Sequence, residues 1–253
     1  MDYEKAWVLV EQGNALAAER VICDGLRSSP EDPALNALQA FVWLEQGRYE
    51  EAVAQARRAL ALEPEEWTSW YVCGQTLLGC ERFAEALVVA RQTRALAPDD
   101  ARAFRLLAAV LCEMGRADEA VDVAQEGLAL DPTDACCLRI AAVALARAGR
   151  HDDAQRTIEL ALAIEPERQF TRWYAGWVAL EGGELSTASH EFAEALRFEP
   201  ANYNSHEGMG IVLQRQGRFD EARLHLLEAL RLNPYLGRAT RALKEISERQ
   251  LLR

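Results

Sequence analysis

The chain has 253 residues, half of them hydrophobic, and its 40 Asp+Glu outnumber its 28 Lys+Arg for a formal net charge of −12. That balance argues against nonspecific nucleic-acid binding, which needs a basic face to neutralise phosphates. The apolar residues are spread periodically, and no run approaches the roughly 20 consecutive apolar residues of a membrane span. Charge is uneven along the chain: residues 203–253 carry 9 Lys+Arg against 6 Asp+Glu, a local net of +3, and the remainder sums to −15. Only Lys5 and Lys244 are lysines, and the bias toward arginine points to a GC-rich bacterial genome.

The start, Met1-Asp2-Tyr3-Glu4-Lys5, is acidic and lacks a signal-peptide pattern. From there one period governs the chain. Seven of its eight prolines, Pro30, Pro64, Pro98, Pro132, Pro166, Pro200 and Pro234, stand 34 residues apart. An alanine column runs from Ala18 through Ala52, Ala86, Ala120, Ala154 and Ala188 to Ala222. A glycine column, Gly13, Gly47, Gly115, Gly149, Gly183 and Gly217, is broken only by Glu81. Small residues also recur at Ala6, Ala40, Gly74, Ala108, Ala142, Gly176 and Gly210, as expected where helix backbones approach closely. A fixed period of this length marks a solenoid, whose stacked units present a long surface for holding other molecules.

Within one unit the spacing is helical. Apolar residues recur three and four apart on both sides of Gly47-Arg48, which predicts a first helix over Ala34 to Gln46 and a second over Tyr49 to Leu62. Glu50 and Glu51 fall in the first turn of the second helix, where acid suits the dipole. Paired acids such as Asp152-Asp153 are read as caps of second helices. The expected repeats end near residues 32, 66, 100, 134, 168, 202 and 236, covering 1–236. Residues 237–253 then form a capping helix, with Ala239, Leu243 and Ile246 on the core side and Arg238, Arg241, Lys244, Glu245 and Glu248 facing water.

These columns resemble the tetratricopeptide repeat, a 34-residue helix-turn-helix unit with small residues where Ala40 and Ala52 stand, an aromatic at Tyr49 and a terminal proline at Pro64. The resemblance implies an all-α fold, a right-handed α-solenoid superhelix of seven such units plus the C-terminal capping helix. Trp70 meets the family's first-helix tryptophan, and Phe104 and Leu138 approximate it. Asn36, Arg172 and His206 depart from it.

No enzymatic constellation stands out. There is no Gly-rich phosphate loop, no G-x-S-x-G and no H-E-x-x-H, and Gly208-x-Gly210 sits mid-helix without a preceding strand. The six cysteines form no C-x-x-C, and none pairs with a histidine at zinc-like spacing, so reduced thiols and no metal or other cofactor are expected.

In the resembling family the first helices line the concave wall. The second, fifth, ninth, twelfth and thirteenth positions of each unit are expected to be exposed there. Arg102, Arg105, Arg139 and Arg147 then form a stripe suited to a carboxylate or phosphate, and Tyr71, Phe170, Trp173 and Trp177 an aromatic group suited to anchoring a peptide. The competing readings are ion pairing of the arginines with acids such as Glu113, and packing of the aromatics between repeats. The Lys/Asn carboxylate clamp of the family's chaperone-binding subgroup has no counterpart at the fifth and ninth columns of these units. The expected function is a non-catalytic scaffold, cytoplasmic, that grips a protein or peptide partner through an acidic segment or C-terminus and binds no nucleic acid. The alternative is a soluble regulatory or targeting module of a longer membrane-anchored or multidomain protein. That alternative rests on similarity to bacterial tetratricopeptide proteins whose soluble repeats precede membrane helices.

Overall fold

The computed structural model describes residues 2–11, 14–165 and 169–251; Gly13 and Pro166 of the periodic columns lie outside them. All regular structure among these residues is helical. The helices are α1 (Asp2–Glu11), α2 (Ala15–Ser28), α3 (Pro33–Glu45), α4 (Tyr49–Leu62), α5 (Trp67–Gly79), α6 (Phe83–Leu96), α7 (Ala101–Glu113), α8 (Ala117–Leu130), α9 (Ala135–Arg147), α10 (His151–Ile164), α11 (Gln169–Glu181), α12 (Leu185–Phe198), α13 (Tyr203–Arg215), α14 (Phe219–Leu232) and α15 (Gly237–Leu251). The chain divides into two compact units, Met1–Val110 and Leu111–Arg253, with the boundary inside α7.

In the first unit α1 packs on α2, α3 on α4 and α5 on α6, and α3 also touches both α1 and α5. In the second, α9 packs on α10, α11 on α12 and α13 on α14, while α9, α11, α13 and α15 touch in succession. Odd-numbered helices therefore form one layer in each unit, with the even-numbered helices against them.

The two helix types begin differently. The first helices α3, α9 and α13 follow a proline turn and are capped by a side-chain acceptor: Asp32 takes the Leu35 N–H at 2.9 Å, Asp134 the Cys136 N–H at 2.8 Å and Asn202 the Ser205 N–H at 2.9 Å. Such caps are each worth about 1 kcal/mol. Asp32 as cap moves the first-helix start from the expected Ala34 to Pro33, since proline is well suited to the first helical position. Unlike α2, where Asn14 accepts from the Ala17 N–H at 3.2 Å, the second helices α4, α6, α8, α10 and α14 carry no such cap. At their N-caps stand Arg48, Arg82, Arg116, Arg150 and Arg218, without a side-chain cap bond. Each instead pairs with the acid three residues on: Glu51, Glu85, Glu119, Asp153 and Glu221. The reading of Asp152-Asp153 as a cap is thereby corrected. Asp153 is an ion-pair partner of Arg150 at 2.9 Å, and Arg156 also holds it.

Between the paired helices the backbone crosses into positive φ at Gly47, Gly115, Gly149, Gly183 and Gly217, between 74° and 81°, and at Glu81 with φ 54°. The alanine column of the second helices is fully buried from Ala18 to Ala222. A Cβ on Gly74 would lie 2.5 Å from Leu106 Cδ2, so the Leu106 side chain fills the space that alanine takes at the equivalent Ala40, Ala108 and Ala142. One local exchange of volume stands out. Positions equivalent to Gly208 hold Leu38, Val72, Leu106, Ile140 and Tyr174. The space vacated at Gly208 is filled by the buried Phe192 ring, 2.3 Å from where a Cβ would stand, and Phe192 also closes on Gly176. Gly208 and Gly210 are thus packing glycines of α13.

The column of the family's tryptophan shows what its departures preserve. Trp70 Nε1 donates to the Pro64 carbonyl at 2.7 Å, Asn36 Nδ2 to Pro30 at 3.2 Å, and His206 Nε2 lies 3.0 Å from the Pro200 carbonyl. Three chemically different side chains make one bond to the proline carbonyl six residues earlier.

Candidate functional site: the first-helix wall

The predicted arginine stripe is divided between the two units. In the first, Arg102 and Arg105 project from α7 onto rings of α5. The Arg102 guanidinium stands 4.5 Å over the Trp67 ring and pairs with Asp100 at 2.7 Å. The Arg105 guanidinium lies 5.7 Å from the Tyr71 ring centre and donates to its hydroxyl. These contacts join residues about one repeat apart, because equivalent positions on adjacent parallel helices face each other. Asp100, held by the Arg102 guanidinium, has its carboxyl below the usual carboxylate range. Burial pushes the Tyr3 phenol of α1 up, against the pull of Arg102.

In the second unit Arg139 is buried. It donates to Glu165 and to Thr171 Oγ1 at 2.9 Å, and lies over the Tyr174 ring at 5.7 Å. Arg147 donates to the Cys112 carbonyl at 2.6 Å and pairs with Glu113 at 3.3 Å and Glu181 at 3.7 Å. A cation at the last carbonyls of α7 also suits that helix's dipole. Trp177 is buried edge-on against Phe192, with ring centres 5.8 Å apart, and Arg238 of α15 lies 4.6 Å above it. Trp173 is half-buried, and Phe170 is 44% exposed.

The expectation that the fifth and ninth columns are exposed is therefore corrected in part: Ala37, Tyr71, Arg139, Glu207, Val143 and Trp177 are all buried. Side chains from neighbouring first helices cover one another rung by rung. Of the predicted site residues, Arg102 and Phe170 reach solvent most.

Three features carried no signal in the linear spacing. Glu207, fully buried on α13, accepts from the Ala239 N–H at 3.1 Å and Arg238 Nε at 3.2 Å, so it receives the N-terminal turn of α15. Arg238, read as facing water, extends to Glu113 at 3.2 Å as well. His206 and His225, from α13 and α14, bring their Nδ1 atoms to 3.0 Å. The odd helix pairs with the even one, so residues 19 apart meet.

Family models described as tetratricopeptide repeat match residues 3–66, 44–110, 111–175 and 203–236. The chain belongs to the tetratricopeptide repeat family. Among curated proteins none matches it significantly. Solved structures share the fold. A tetratricopeptide repeat protein from Parabacteroides merdae is 15% identical with a TM-score of 0.67, over 97% of this chain and 99% of that one. A human IFIT1 dimer with PPP-AAAA is 18% identical with a TM-score of 0.70, over 99% of this chain, which spans 63% of the IFIT1 chain. PilF of Pseudomonas aeruginosa is 18% identical with a TM-score of 0.58, over 81% and 94%. In this member of the family no helix among the described residues is long and apolar enough to cross a membrane.

Proposed function

We propose that this tetratricopeptide repeat chain is a non-catalytic scaffold that holds peptide segments of a protein partner against the first-helix wall of each unit. Residues 1–236 form seven repeats in this reading, and α15 covers the last of them. The observation that supports it is the pair of ring-supported guanidiniums, Arg102 on Trp67 and Arg105 on Tyr71. A stacked guanidinium has already lost much of its rotamer freedom, so a carboxylate meets a pre-ordered donor. In the first unit Arg102 exchanges Asp100 for an acidic group of a peptide, and Tyr71 and Arg105 shape that wall from beneath. In the second unit Phe170 offers an exposed ring to an apolar side chain, and Arg139, Arg147, Trp173 and Trp177 shape the wall there.

A peptide array scanned with the fluorescent protein tests this. Acidic peptides should be retained over neutral ones, and Arg102→Glu should weaken the best of them at least tenfold, the scale of one desolvated charge-assisted contact. Raising salt should slow association. IFIT1 was solved with PPP-AAAA, so that oligonucleotide belongs in the same titration. Binding of it more tightly than any peptide, or an array with no acidic preference, overturns the reading.

A further inference from the structure

We infer that a recess between α13 and α15 is a docking site for an extended acidic peptide with the pattern acid–x–aliphatic–x–acid. The inference rests on the scaffold reading above but places the contact in a different part of the chain.

The recess encloses about 520 Å³ and is lined by Ile211, Gln214 and Arg215 of α13 and by Arg238, Arg241, Ala242, Glu245 and Arg249 of α15. That volume falls within the roughly 300–1,000 Å³ of ligand pockets. Positions 211, 214 and 215 share one face of α13, and 238, 241, 242, 245 and 249 one face of α15, by the three- and four-residue spacing of helix neighbours. Four arginines therefore converge with a single glutamate, inside the stretch whose local charge is +3 in a chain of −12.

The arginines are not equivalent. Arg238 is committed to Glu113 and Glu207. Arg215 gives one nitrogen to the Leu180 carbonyl at 2.8 Å. Glu245 accepts from Gln214 Nε2 at 2.9 Å, so the one acid of the recess is already engaged. Arg241 and Arg249 are exposed and make no ion pair among the described residues. Most other arginines among the described residues are ion-paired, so these two guanidiniums, with Glu245 four residues from each, keep donors open beside an aliphatic floor of Ile211 and Ala242.

Their spacing selects the ligand. Eight residues of α-helix separate Arg241 from Arg249, about 12 Å along the axis. One small dicarboxylate cannot bridge that distance. Two acidic side chains four apart in an extended peptide span about 13 Å and point to the same side. The residue midway between them also points that way, toward Ile211 and Ala242. The lining holds no aromatic ring on which a base would stack, which favours a peptide over single-stranded nucleic acid. The acidic remainder of the surface steers an anionic chain to this basic end.

Fluorescence polarisation with a labelled, end-blocked glutamate–serine–leucine–serine–glutamate peptide tests the assignment. It should bind the wild-type chain, and Arg241→Ala/Arg249→Ala should weaken it at least tenfold. A peptide of the same composition with adjacent glutamates should bind at least threefold more weakly. Arg197→Ala, an exposed change on α12, should leave binding unchanged, and circular dichroism melts verify that every variant is folded. Binding unaffected by the double variant overturns the site, as does tighter binding of an oligoadenylate or displacement of the peptide by equimolar succinate. Failure can be apportioned. A spaced peptide that responds to Arg102→Glu but not to Arg241→Ala/Arg249→Ala removes the recess and keeps the scaffold. An array that retains no acidic peptide removes both.

Discussion

Glu81 sits at φ 54° in a turn whose equivalents in this chain are glycine at every other described position. A side chain in the left-handed region costs about 1–2 kcal/mol, offset in part by the entropy glycine loses on folding. Glu81→Gly should therefore stabilise the chain by about 0.5–1 kcal/mol, read as a higher midpoint in urea with unchanged slope. His225 makes a different residue-scale prediction. The Pro200 carbonyl can only accept, so neutral His206 carries its proton on Nε2, and its Nδ1 accepts from Nδ1–H of His225. Burial first, and then His206, pushes the His225 pKa below its ordinary value, with Glu221 opposing. The native state thus binds this proton less readily than the unfolded chain. Its contribution to stability is complete above about pH 6.5 and is lost as pH falls through the lowered native value. Melting temperature should fall between pH 7 and 5, and His225→Gln should flatten that part of the profile. Loss confined to pH below 4.5 would instead assign the effect to carboxylates such as Glu19, whose pKa is lowered by its bonds from Gln46 and Trp43.

At the scale of elements, α15 is attached by two unlike contacts. Ala239, Ala242 and Ile246 are buried against α13 and α14, and Glu207 binds its first turn. A buried carboxylate of this kind is costly to delete because the facing Ala239 N–H and the Arg238 guanidinium lose their acceptor. Glu207→Ala should destabilise by about 3 kcal/mol. Glu207→Gln keeps an acceptor for Ala239 and should cost less. Amide exchange should show the loss first in α15, since among the described helices it packs on α13 and α14 alone. Uniform loss of protection throughout residues 111–251 would show instead that α15 does not open separately. The same logic explains why α4, α6, α8, α10 and α14 need no side-chain cap. Their first turns are supplied with an arginine–acid pair, which is exposed and weak, and their buried alanine faces hold them in place.

For the molecule as a whole, packing decides which thiols react. Cys73, buried, has its thiol pushed up to about 12 by burial; Cys80 and Cys112 are pushed to about 11, again mainly by burial. Cys137 is also buried, Cys23 is exposed and Cys136 half-buried. A native thiol titration at pH 8 should register two of the six cysteines promptly and the other four only on unfolding. Prompt reaction of all six would show that the helix pairs open readily. Charge is likewise a property of the whole chain. The arginine-rich last fifth of the sequence is where α13 and α15 leave donors of Arg241 and Arg249 open.

The 34-residue period, the glycine turns, the buried alanine column and the helix type of each segment were legible in the sequence. Each answers a local requirement repeated in every unit: positive φ, close backbone approach, or an apolar stripe every three to four residues. Arg102 and Arg105 could likewise be placed on one helix face from spacing alone. Only the tertiary structure decided which wall residues meet solvent. Tyr71 and Arg139 look exposed on an isolated helix, but a neighbouring first helix one repeat away covers them. Glu207 and Arg238 take their roles from partners 31 or more residues distant, and His206 meets His225 through a pairing that no single-helix spacing encodes. Periodicity records what every repeat shares; the site lies where repeats differ, and those differences acquire meaning only from the side chain opposite.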